Sequence, residues 1–142
     1  MGQINWRRAY PELRVLDETP EFLLGHSFED AILIRKRNGE HVLEDDFYGD
    51  PACGYISRTH KWAVVAGEHV TVWHSKRGKQ IIPLTDRKYV HALRYVGESR
   101  LQLLVDPFGS HSAIWELNVE TNDFRKVQDI PTCAEYTEEI SW

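Results

Sequence analysis

From residue 31 to about residue 127, turn signals cut the chain into short runs rich in β-branched and aromatic residues. Such runs favour strands over helices. Ala31-Ile-Leu-Ile-Arg-Lys-Arg and Glu40-His-Val-Leu-Glu flank Asn38-Gly39. Asn-Gly tolerates the positive φ values of a type I′ turn, so this is the strongest hairpin signal in the chain. Trp62-Ala-Val-Val-Ala and Val70-Thr-Val-Trp-His form a second hairpin around Gly67-Glu68. Residues 89–96 and 101–105 flank Gly97-Glu-Ser-Arg, and residues 112–119 and 123–127 flank Glu120-Thr-Asn. Gln80-Ile-Ile-Pro-Leu reads as a short strand that Pro83 confines to an edge or a strand end.

Several of these strands alternate. Val70 and Val72 oppose Thr71 and Trp73, which implies one buried and one solvated face. The pattern predicts a mainly β (α+β) fold. Its form is an antiparallel bent sheet, or two packed sheets, built from successive hairpins. Hairpins carrying Trp62, Trp73 and Trp115 suit propeller blades, but roughly nine strands make only about two blades, too few to close. The first 30 residues read as irregular, with a short helix around Pro20-Glu-Phe-Leu-Leu, and Thr137–Trp142 as a last strand. The expected core includes Trp62, Val64, Val72, Leu93, Leu103, Val105 and Ile114.

A chain of 142 residues with 42% hydrophobic content can bury one core without staples, so a single domain over 1–142 is expected. No stretch approaches the roughly 18 apolar residues of a membrane span. The N-terminus shows no apolar signal segment, and Trp6 stands where a myristoylation motif has Ser or Thr. The expectation is therefore a cytoplasmic protein away from membranes, with Cys53 and Cys133 as free, partly buried thiols.

No catalytic constellation stands out. None of the seven histidines has His-x-His or His-x-x-x-His spacing. Ser110-His111 beside Asp106 are sequence neighbours, and a triad is defined by spatial geometry instead. Nucleotide-binding glycine motifs are absent. No metal and no cofactor are expected.

The net charge is −5, and the acids are clustered, as in Glu44-Asp-Asp with Asp50. This disfavours nucleic acid and favours a basic partner. Two loops combine Asp-Pro, Gly and an aromatic: Glu44-Asp-Asp-Phe-Tyr-Gly-Asp-Pro and Val105-Asp-Pro-Phe-Gly-Ser-His. Asp-Pro and Gly make turns, and the aromatics plug the core in one reading. In the other, aromatics beside carboxylates form an interface against basic residues. The candidate partner-binding residues are Glu44, Asp45, Asp46, Tyr48, Asp50, Glu68, His69, Asp106, Phe108 and His111.

One pattern runs through residues 44–127. It comprises Phe47-Tyr-Gly-Asp-Pro, Cys53-Gly-Tyr-Ile-Ser, Trp62-Ala-Val-Val-Ala-Gly-Glu, Leu104-Val-Asp-Pro, Ile114-Trp-Glu-Leu-Asn and Phe124-Arg-Lys-Val. It resembles the small bacterial immunity proteins encoded beside secreted toxins of polymorphic or contact-dependent inhibition systems. The resemblance implies a cytoplasmic protein that binds its cognate toxin domain one-to-one and neutralises it without catalysis. Many such toxins are nucleases, so an acidic inhibitor would take the place of nucleic acid. Two alternatives stay open: a small metal-dependent or hydrolytic enzyme using the acidic loop with His111 or His69, and a structural β module of a larger assembly.

Overall fold

The computed structural model describes residues 4–85, 88–137 and 139–142. A single helical turn, α1 (Trp6–Ala9), precedes the strands. Asn5 caps it by accepting a hydrogen bond from the Arg8 N–H. Among the described residues, twelve strands follow in three four-stranded sheets. Sheet 1 holds β1 (Arg14–Glu18), β2 (Phe22–Ser27), β3 (Asp30–Arg35) and β4 (Glu40–Asp46). Sheet 2 holds β5 (Cys53–Ile56), β6 (Trp62–Ala66), β7 (His69–His74) and β8 (Gly78–Pro83). Sheet 3 holds β9 (Val90–Gly97), β10 (Arg100–Val105), β11 (Ala113–Asn118) and β12 (Asp123–Asp129). In each sheet every strand pairs antiparallel with its sequence neighbours, the connectivity of a propeller blade.

The mainly β, antiparallel expectation holds, as does a short helical N-terminal segment. The count is larger than expected: three sheets where one or two were anticipated. Residues around Pro20–Leu24 lead into β2 and do not form a helix. The described residues of 137–142 form no strand. Pro83 closes β8, an edge strand, as its missing N–H requires. The Asn38-Gly39 turn is a four-residue loop in which only Gly39 has positive φ, at 73°. The type I′ signature falls instead on Glu98 and Ser99, at φ 53° and 61°.

The central strands of sheet 2, β6 and β7, are buried on both faces. Along β6, Trp62, Val64 and Ala66 point into a core shared with sheet 3, including Leu101, Leu103, Val105 and Leu117. Ala63 and Val65 point the other way, into a core shared with Phe22, Leu24, Leu33 and Leu43 of sheet 1. The side of β7 carrying Thr71 and Trp73, expected to be solvated, is buried by this second core. Of the predicted core, Trp62, Val64, Val72, Leu103, Val105 and Ile114 are buried, and Leu93 is partly buried against the core.

The terminal segments lie against the two outer sheets. Leu13 fills the space beside Gly25 of β2, and the Trp6 ring covers Gly39 while its Nε1 donates to the Lys36 carbonyl at 2.8 Å. At the other end of the stack, the Trp142 ring sits 4.2 Å from the Arg94 guanidinium of β9. No helix among the described residues is long and apolar enough to cross a membrane.

Candidate functional site

Alternating strands send the connections that follow even-numbered strands to one end of each sheet. The β2–β3, β4–β5, β6–β7, β8–β9 and β10–β11 connections are tied to one another there by hydrogen bonds. The Phe47 N–H donates to the Glu29 carbonyl at 2.8 Å, and the Gly49 N–H to the Glu29 carboxylate at 2.6 Å. The Tyr48 N–H donates to the Glu68 carboxylate at 3.2 Å, and the Val90 N–H to the Gly67 carbonyl at 2.8 Å. Tyr89 joins the two predicted loops: its hydroxyl donates to the Asp50 carbonyl at 2.6 Å, and its carbonyl accepts from the Asp106 N–H at 2.8 Å. Burial holds the Tyr89 phenol above its ordinary pKa, aided by nearby Cys53, Asp50 and Tyr136.

Beneath this surface, Asp45 and His69 correct the sequence reading. Both were expected among the contact residues, and both are buried. The Asp45 carboxylate accepts from His69 Nε2 at 2.8 Å and from the Thr71 hydroxyl. His69 Nδ1 lies 2.5 Å from the Glu68 carboxylate, and the ring stacks on Phe47 with centroids 4.0 Å apart. These residues brace the β4–β5 loop from inside.

The surface that this framework supports is acidic and aromatic. Tyr48 is 86% exposed and Phe28 79% exposed. Asp46, Asp50 and Glu29 are exposed beside them, and among the described residues none of the three has a Lys or Arg at ion-pair distance. Glu44 is exposed and pairs with His41 at 2.9 Å. Asp30 stands opposite Asp46 across the β3–β4 ladder, and the Asp46 carboxylate raises the Asp30 pKa.

Phe28 was missed by the sequence reading. It occupies the first position of the two-residue β2–β3 turn at φ 51°, where hairpins favour glycine. Tyr89 was missed too; no local pattern marks a residue that acts by joining two distant loops.

The second loop is more structural. Phe108 is half-buried, edge-on to His91 at 5.5 Å and 5.2 Å from Tyr136, which is 74% exposed. Asp106 accepts from the His111 N–H at 3.1 Å, leaving the His111 side chain exposed.

Among the described residues, no three His, Cys, Asp or Glu side chains gather to hold a metal ion. Cys53 is a poor nucleophile, because burial pushes its thiol up to about 12. What the end presents is rigid, unneutralised acid around exposed rings, an arrangement suited to binding. No protein-family model matches the chain, and no curated protein matches it significantly.

Proposed function

We propose that the protein is a binding module that captures a basic protein partner on its acidic, aromatic loop end, without catalysis. In the form suggested by the immunity-protein resemblance, the partner is a cognate secreted toxin domain. It is bound one-to-one in the cytoplasm, with a nuclease whose basic cleft accepts the carboxylates as the best fit.

The observation that carries this reading is the concentration of locally unfavourable features at one end. A bulky Phe28 sits in a left-handed turn position, solvent-exposed. Two carboxylates, Asp30 and Asp46, face each other across a ladder. Tyr48 stands almost free on a loop that Glu29, Glu68 and Tyr89 hold in place. Strain and like charge of this kind gather where a fold gives up stability for recognition. Exposed Phe and Tyr amid acid provide anchors for the centre of an interface and steering for a cationic partner.

The experiment is affinity capture of the tagged protein from its host with mass spectrometry, followed by titration of the recovered domain. The expected partner is the C-terminal part of a large secreted protein, in one-to-one ratio. Combining Tyr48→Ala, Asp46→Lys and Asp50→Lys is expected to weaken binding by about 100-fold, or ~2.7 kcal/mol, and to flatten its salt dependence. Unchanged affinity would reject the loop end as the interface. A partner unrelated to secreted toxins would reject the immunity reading and leave the binding surface standing.

A further inference from the structure

The two ends of sheets 1 and 2 carry opposite charge. Opposite the acidic loops lie residues 36–39 after β3, 57–61 after β5 and 75–77 after β7. These three connections hold Lys36, Arg37, Arg58, Lys61, Lys76 and Arg77, and no Asp or Glu. At the acidic end, residues 28–29, 47–52 and 67–68 hold Glu29, Asp50 and Glu68, and no Lys or Arg.

Half of these cations are used within the chain. Lys36 pairs with Glu18 at 2.5 Å, and Arg58 with Asp17 at 3.1 Å. Arg77 donates to the carbonyls of Glu120 and Val119, each at 2.6 Å. Arg37, Lys61 and Lys76 are exposed, and among the described residues none of them has a carboxylate at ion-pair distance. Their turns converge. The Ser75 N–H donates to the Lys61 carbonyl at 2.8 Å, and Arg37, His60 and Ser75 border one cleft of about 870 Å³. This end is therefore concave, with unpaired cations around it.

The acidic end is its complement. Glu29, Asp46 and Asp50 lack a Lys or Arg partner among the described residues, and Phe28 and Tyr48 project beside them. Like ends repel and unlike ends attract. A second copy of the chain thus brings three unpaired cations to three unpaired carboxylates, and a concave end to a projecting one.

We infer that the protein associates head to tail with a second copy of itself, with Arg37, Lys61 and Lys76 of one copy against Glu29, Asp46 and Asp50 of the next. Such a contact is heterologous. Each complex keeps one free end of each sign, so association continues in line and does not stop at a two-fold dimer. Charge is its main attraction, which makes the contact weak and salt-sensitive. A basic partner captured as proposed above would compete for the acidic end and cap the line, but the self-contact does not rest on that reading.

The test is sedimentation equilibrium of the full chain over a concentration series. The average mass at low salt is expected to rise between about 10 μM and about 1 mM, the range of weak contacts. It should return to that of one chain at about 0.5 M salt, where the Debye length is about 4 Å. Two variants, changed only at exposed positions, separate the ends. Asp46→Lys with Asp50→Lys removes the acidic end, and Arg37→Ala with Lys61→Ala and Lys76→Ala removes the basic end. Each variant is expected to keep the mass of one chain. An equimolar mixture is expected to form dimers and nothing larger, because each variant retains the end that the other lacks. A wild type that stays a single chain at about 1 mM overturns the inference. So does association that survives either set of substitutions, or a mixture that stays monomeric. No toxin enters the measurement, so its failure leaves the capture of a basic partner standing, and failure of that capture leaves the self-contact standing.

Discussion

Asp30 and Asp46 face each other directly across the β3–β4 ladder, and the Asp46 carboxylate holds Asp30 above its ordinary pKa. Like charges opposite one another weaken a sheet. The pair also closes the end of sheet 1 that carries Phe28 and, through the next loop, Tyr48.

Replacing Asp46 with Asn is therefore expected to stabilise the protein at neutral pH. The raised Asp30 pKa sets the sign. Below its ordinary value Asp30 is protonated in both folded and unfolded chains, and the pair costs nothing. As pH rises through the window up to the raised folded value, the folded chain holds the proton more tightly, and stability is lost. Above the window the full repulsion is present. Thermal melts should show a higher midpoint for Asp46→Asn at pH 7 than for the wild type, converging near pH 3. High salt should shrink the gap at pH 7, because both groups are exposed. An equal gap at both pH values would mean that the repulsion is not its source.

Phe28→Gly separates fold from function at a single position. A non-glycine residue in the left-handed region costs about 1–2 kcal/mol, while glycine gives back about 0.5–1 kcal/mol in unfolded-chain entropy. Little burial is lost, since Phe28 is already 79% exposed. The variant is expected to match or exceed wild-type stability by up to about 1 kcal/mol in urea unfolding. It should also bind the captured partner more weakly. A clear loss of stability would show that the ring holds the hairpin together.

The hairpins from residue 31 onwards were legible because their turns carry Gly and Asn and their strands are β-branched. The β2 strand was not. Phe22–Gly25 is buried on both faces, so it shows no alternation, and its turn, Phe28-Glu29, contains none of the usual turn residues. β6 and β7 were found, but the face of Thr71 and Trp73 was misjudged, because a strand between two cores looks amphipathic wherever a core accepts a polar residue. The third sheet went uncounted because β1, β2 and the short β5 were missing from the roughly nine strands read. In the site, the acidic loops were visible as composition. Which acid faces inward was not, because Asp45 and Asp46 differ only by the pleat of β4.

That difference gives Asp45 and Asp46 opposite mutational signs. Asp45 is buried and holds His69 and Thr71. Asp45→Ala leaves the buried His69 with one carboxylate partner fewer and Thr71 without its acceptor. The expected loss is about 3 kcal/mol in urea unfolding, the low end for breaking a buried pair. Adding Thr71→Val to Asp45→Ala should recover part of it, since an unpaired hydroxyl is then removed. A cost near zero for Asp45→Ala would mean that the β4–β5 loop is braced by its backbone hydrogen bonds alone.

Cys53 reports whether the centre of the molecule opens. Its side chain packs against the core shared by sheets 2 and 3, near Tyr89. With its pKa pushed up to about 12, only roughly one molecule in ten thousand carries the thiolate at pH 8. A thiol-reactive probe at that pH is therefore expected to label Cys53 only as fast as the protein unfolds locally. Labelling should accelerate in Asp45→Ala, which destabilises the fold, and not in Asp46→Asn. Peptide mapping of the labelled chain distinguishes Cys53 from Cys133, a free thiol whose backbone N–H donates to the Pro107 carbonyl. Rapid labelling of Cys53 in the native wild type would show that the loop end breathes, and would count against a preformed binding surface there.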